Sequence, residues 1–118
     1  MNRRAAAERQ GRTGERIAAW WLRLHGWRIV GSRVKTRRGE VDLIARRGRT
    51  LAFVEVKTRG DAAGLATAID DYRLRRVVAA AEALLPRYGD GVENVRIDVM
   101  LVRPWRRPVH LANVWHAQ

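Results

Sequence analysis

The sequence predicts an α/β sandwich, a central mixed β-sheet flanked by helices in the order helix, three strands, helix, two strands. Three observations carry that expectation. Apolar residues recur at helical spacing in two well-separated stretches. Between them, two runs rich in Val, Ile, Leu and Phe are divided by a short polar turn, and two further strand-like runs follow the second helical stretch. At 118 residues, 47% apolar and 31% charged, the chain suits one domain around one core.

Residues 1–12 are polar and basic and are expected to fray, leaving 13–118 as a single domain. From Thr13 to His25, Ile17, Ala18, Trp21, Leu22 and Leu24 recur at helical spacing, and Gly26 is the stop. Trp27 to Val34 reads as the first strand. Glu40 to Arg46 and Leu51 to Thr58 form a hairpin across Arg47, Gly48, Arg49 and Thr50, with Gly48-Arg49 suited to a type II′ turn. Arg59 to Gly64 is a loop. Leu65 to Leu85 is a long amphipathic helix with Ile69, Tyr72, Val77, Ala80, Ala81 and Leu84 inward, ended by Pro86. Val95 to Val102 and Val109 to Trp115 are the last strands, separated by Pro104 and Pro108.

A net charge of +12 on so short a chain points to a polyanionic partner, with an attraction that salt should weaken. Of the 24 basic residues only Lys35 and Lys57 are lysines. The absence of cysteine excludes disulfides, thiolate zinc sites and a cysteine nucleophile. Arginines interrupt every apolar run well short of the ~18 residues that a membrane span needs. The basic N-terminus lacks an apolar core for a secretory signal, so a cytoplasmic location and no membrane partner are expected.

The hairpin concentrates the chemistry. With a two-residue turn, Asp42 falls opposite Glu55, and both side chains emerge on one face with Cβ atoms roughly 5 Å apart. Like charges so placed repel, and the neighbouring Ile44 and Phe53 cannot solvate them. A divalent cation turns that repulsion into coordination, and hard oxygen ligands suit Mg²⁺ or Mn²⁺. Lys57 continues the same face, two residues along the strand. Its compact ammonium can orient or deprotonate a water, which a guanidinium cannot; a cross-strand ion pair with Glu40 is the structural alternative. Glu15 opens the first helix, where the helix dipole alone would favour a carboxylate, or where it would serve as a third acid at the metal.

The run Gly39-Glu40-Val41-Asp42-Leu43-Ile44-Ala45, followed by Phe53-Val54-Glu55-Val56-Lys57-Thr58-Arg59, resembles the PD-(D/E)XK nuclease signature. More closely, residues 11–115 resemble the small bacterial YraN-like family of predicted endonucleases, through Gly14-Glu15 with Ala18 and through Arg96-Ile97-Asp98-Val99. The resemblance implies a restriction-endonuclease-like core close to that of archaeal Holliday junction resolvases. It implies Asp42, Glu55 and the Val56 carbonyl as metal ligands, Lys57 as the water-activating or charge-stabilising base, and Glu15 as the auxiliary acid. Arg33, where Asn is expected, and Arg73, where a helix Lys is usual, depart from the pattern.

The expected function is therefore metal-dependent hydrolysis of DNA phosphodiester bonds, with Arg59, Arg73 and Arg76 contacting backbone phosphates. No recognition helix or zinc finger is visible, so cutting selected by branched or junction structure is expected rather than sequence-specific binding. Paired cuts would need a homodimer. The competing expectation is a non-catalytic basic nucleic-acid-binding module on the same core. His25, His110 and His116 lack zinc-site spacing, and the lone serine, Ser32, lacks a nucleophile-elbow sequence. Asp98 is expected to pair with Arg96, while Trp20 and Trp105 are candidates for exposure and base stacking.

Overall fold

The computed structural model describes residues 3–58 and 71–115. Its elements are α1 (Arg3–Leu24), β1 (Arg28–Lys35), β2 (Glu40–Arg47), β3 (Thr50–Lys57), α2 (Asp71–Tyr88), β4 (Asn94–Leu101) and β5 (Val109–Leu111). That is the expected order. The strands form one sheet in the order β1-β2-β3-β4-β5, antiparallel throughout except where β4 lies parallel to β3 after the crossover through α2. No helix among the described residues is long and apolar enough to cross a membrane.

Alternation along the strands sorts the core into two layers. Leu43, Ala45, Ala52, Val54 and Met100 face α1, where they meet Ala18, Ala19 and Leu22. Ile44, Leu51, Phe53, Ile97 and Val99 face α2, where they meet Leu74, Val77, Ala80, Ala81 and Leu84. The middle strands are buried on both faces, as a parallel pair inside a sandwich must be.

The ends of the elements show which local signals decided them. α1 starts at Arg3 rather than Thr13, because Ala5, Ala6, Ala7, Glu8, Arg9 and Gln10 are all strong helix formers despite their polar run. Gly26 does stop it: at φ 87° it donates to the Arg23 carbonyl while the Trp27 N–H reaches back to the Leu22 carbonyl, a Schellman motif whose Leu22 and Trp27 share one apolar cluster. Gly48 takes the positive φ (61°) of the β2–β3 turn and Arg49 does not, as a type II′ turn requires. The expected start of the second helix at Leu65, and Ile69 with it, lies outside the described residues. Its other end runs past Pro86 to Tyr88, since a proline in the last turn forfeits only the bond to the exposed Glu82 carbonyl. Tyr72 is not inward but 69% exposed, because it sits about 140° round the helix from Val77. β5 stops at Leu111, short of Trp115: Asn113 turns to φ 54° and donates its N–H to the Asp98 carboxylate.

Two glycines allow the helices to close on the strand ends. A Cβ on Gly39 would collide with the Arg76 carbonyl oxygen of α2, and one on Gly14 with the Thr58 methyl group beyond β3. Gly39→Ala should therefore push α2 off the hairpin and lower stability by about 1–3 kcal/mol in chemical denaturation. Gly11→Ala, in the same chain but with nothing within 4 Å, should be neutral or stabilising by up to about 1 kcal/mol.

Candidate functional site

The β2–β3 register matches the expected one from Arg47–Thr50 up to Leu43–Val54. One step beyond, where the ladder ends, Asp42 and Glu55 line one hollow on the α2 side of the sheet. There the backbone ladder gives way to side chains. Asp42 Oδ2 accepts the Val56 N–H at 2.8 Å, and the Glu55 carboxyl group lies close enough for the two acids to perturb each other. Lys57 Nζ lies 3.5 Å from Glu55 Oε1, with both side chains largely buried. The expected alternative of a Lys57–Glu40 pair does not form, and Glu40 instead lies opposite Lys35 of β1.

The first turns of α2 roof this pair. Tyr72, Arg73 and Arg76 line a hollow of about 390 Å³ together with Glu40, Asp42 and Glu55. The Gly39–Arg76 approach described above brings the helix that close. Arg59 lies outside the described residues.

The electrostatics follow from burial and like charge. Burial, then the neighbouring Asp42, push Glu55 up to about 8, against the pull of the Arg73 guanidinium. Asp42 is also raised by burial, with the Val56 N–H opposing. Glu15 is raised by burial and by Asp42, with Arg33 opposing. Between pH 4.5 and about 8 the folded chain thus holds a proton at Glu55 that the unfolded chain has released. Its contribution to stability is complete below pH 4.5 and disappears as pH rises through about 8. In EDTA, stability should fall across that window by at most about 1.4 kcal/mol per pH unit. Denaturation at pH 5.5 and pH 8 measures the slope, and Glu55→Gln should flatten it.

Glu15 is beside this pair rather than within it. It is buried on α1, 3.6 Å from the Arg33 guanidinium, and lines a separate hollow with Arg12 and Arg16. Among the described residues no group of three or more acidic or histidine side chains is gathered tightly enough to hold an ion. The donors brought together are Asp42 and Glu55. Sequence reasoning missed Arg33 as the partner of Glu15, and Tyr72 as part of the roof. Arg33 carried a signal, since it adopts φ 51°, a conformation that Asn tolerates far better.

Asp98 is a contrasting case. Fully buried, it accepts bonds from Arg96 at 2.7 Å, as expected, and also from His110 at 2.7 Å and the Asn113 N–H at 2.9 Å. Burial alone would raise it, but these donors outweigh burial and hold its pKa below the usual value.

A model of the family described as "Uncharacterised protein family UPF0102" matches residues 14–102. The chain belongs to that family. It is 96% identical over 118 residues to a UPF0102 protein of Rhizorhabdus wittichii, all of both chains being covered. A UPF0102 protein of Sphingopyxis alaskensis is 65% identical over 112 residues, 95% of this chain and 97% of the relative. One from Erythrobacter litoralis is 57% identical over 113 residues, covering 96% and 97%. The UPF0102 match spans Glu15, Asp42, Glu55, Val56 and Lys57 and ends before Trp105.

Proposed function

We propose that this UPF0102 chain is a cytoplasmic metal-dependent nuclease that hydrolyses DNA phosphodiester bonds and selects branched or junction DNA by shape. The observation that carries the reading is the half-buried Asp42–Glu55 pair, two carboxyl groups lining one hollow, with Lys57 3.5 Å from Glu55. The resemblance of Gly39–Ala45 and Phe53–Arg59 to the PD-(D/E)XK signature of YraN-like endonucleases supports it.

The donor set fits Mg²⁺ or Mn²⁺, which are held by one or two carboxylates and otherwise by water and substrate phosphate. The residues that would hold the ion are Asp42 and Glu55, with the Val56 carbonyl as a further ligand. A bound ion supplies neutralisation of the charge that develops on the scissile phosphate. Lys57 positions the attacking water, Arg73 and Arg76 hold the flanking phosphates, and Glu15 acts from the adjoining hollow as the auxiliary acid.

A charge of +12 would serve a non-catalytic nucleic-acid-binding module equally well. Such a module has no use for two carboxyl groups lining one hollow. Isothermal titration with Mg²⁺ separates the two readings: the nuclease should show a site that Asp42→Ala abolishes, whereas a flat wild-type titration would leave only the binding module.

A further inference from the structure

We infer that the groove between α1 and the β4–β5 connection receives an unpaired nucleobase of single-stranded DNA, stacked on Trp105; the choice of DNA as the polymer rests on the nuclease reading. The groove encloses about 810 Å³ and is lined by Ile17, Val102 and Pro104 beside Trp105. Trp105 is 102% exposed and stands at φ 60°, so the fold holds its indole out in water in a backbone conformation that bulky residues rarely adopt. An indole so fully exposed offers its ring to a planar partner.

The charge around it selects the partner. Arg103, Arg106 and Arg107 line the same groove. Among the described residues their side chains make no hydrogen bond or ion pair, and Arg103 Nε is buried without an acceptor. By contrast Arg33, Arg38, Arg49 and Arg96 are each committed to a carboxylate. An exposed aromatic ring ringed by uncommitted guanidinium groups is the chemistry that binds single strands, with bases on the ring and phosphates on the arginines. In an intact duplex the bases are stacked on one another and offer the indole no free face. Thr58 and Gly14 on its wall are the chain neighbours of Lys57 and Glu15.

The test is fluorescence anisotropy in EDTA, which suppresses cleavage, with the full chain, a labelled oligodeoxythymidylate and a blunt duplex of equal length. Trp105→Ala should weaken binding to the oligodeoxythymidylate by about 5- to 100-fold and leave duplex binding within about twofold, whereas Trp105→Phe keeps most of the single-strand affinity. Equal losses on both DNAs, or no loss on the single strand, would overturn the stacking site. Unchanged single-strand affinity in Trp105→Ala, with metal-dependent cleavage intact in the unsubstituted protein, would remove this inference alone. A selective single-strand loss in a protein whose Mg²⁺ titration is flat would remove the nuclease reading and leave the stacking site standing.

Discussion

Asp42→Ala and Glu55→Ala should each lower Mg²⁺- or Mn²⁺-dependent cleavage of branched DNA by about a thousandfold, or about 4 kcal/mol of transition-state stabilisation. The size follows from what each change removes. Asp42 and Glu55 are the two carboxyl groups that the fold brings into one hollow, so losing either leaves one side-chain anion to hold the ion. Lys57→Ala should cost about a hundredfold or more, because it removes the positioned ammonium without touching the metal donors. Stability moves the other way. Asp42→Asn keeps an oxygen for the Val56 N–H and removes the cost of desolvating a carboxylate, so the metal-free variant should denature at a higher urea concentration than the parent. Asp42→Asn should lose cleavage as Asp42→Ala does, and activity lost in a variant that gains stability cannot be assigned to misfolding. Equal residual cleavage in the parent and all three alanine variants would mean that the activity belongs to a contaminating enzyme, and the proposal would fall.

The pair was legible in the sequence because a strand repeats every two residues and a Gly-X turn fixes what lies opposite what. From Gly48-Arg49 the register follows without tertiary information as far as Leu43 opposite Val54; beyond it the ladder ends, and Asp42 and Glu55 come together in the hollow beneath α2. The layer order was legible for the same reason, since helical and strand periodicities alternate along the chain. Glu15 shows where this reasoning runs out. Periodicity places it on the buried side of α1, but the rotation of α1 against the sheet, set by Gly14 closing on Thr58, decides that it meets Arg33 instead of Glu55. Tyr72 fails similarly: an apolar ring at a helix start suggests the core, while the spacing of Leu74, Val77, Ala81 and Leu84 turns it outward. β5 ends early because of a bond between Asn113 and Asp98, fifteen positions apart, which no local pattern announces.

That same bond underlies the largest expected effect on stability. Asp98→Ala should destabilise the fold by about 3–5 kcal/mol, a large share of the roughly 5–15 kcal/mol that holds a domain of this size together. Arg96 grips both carboxylate oxygens, at 2.7 and 3.3 Å, while His110 of β5 and the Asn113 N–H close the remaining positions. Alanine would strand all of these donors around a carboxylate-sized void. Among the described residues β5 pairs only with β4, over three residue pairs, so its amides should lose hydrogen-exchange protection first, ahead of those in β2 and β3. The pH dependence runs opposite to that of Glu55. Asp98 is lowered, so its contribution is present above pH 3.8 and is lost as pH falls through the depressed folded value. Two buried carboxyl groups on neighbouring strands are thus pushed apart by what surrounds them. Asp98 is surrounded by donors and is spent on holding β5. Glu55 has another acid beside it and keeps its proton to about pH 8; on the nuclease reading a bound cation would favour its ionised form. If Asp98→Ala left β5 protection unchanged while Glu55→Gln removed it, that division of labour would be reversed, and Glu55 would be the structural member of the two.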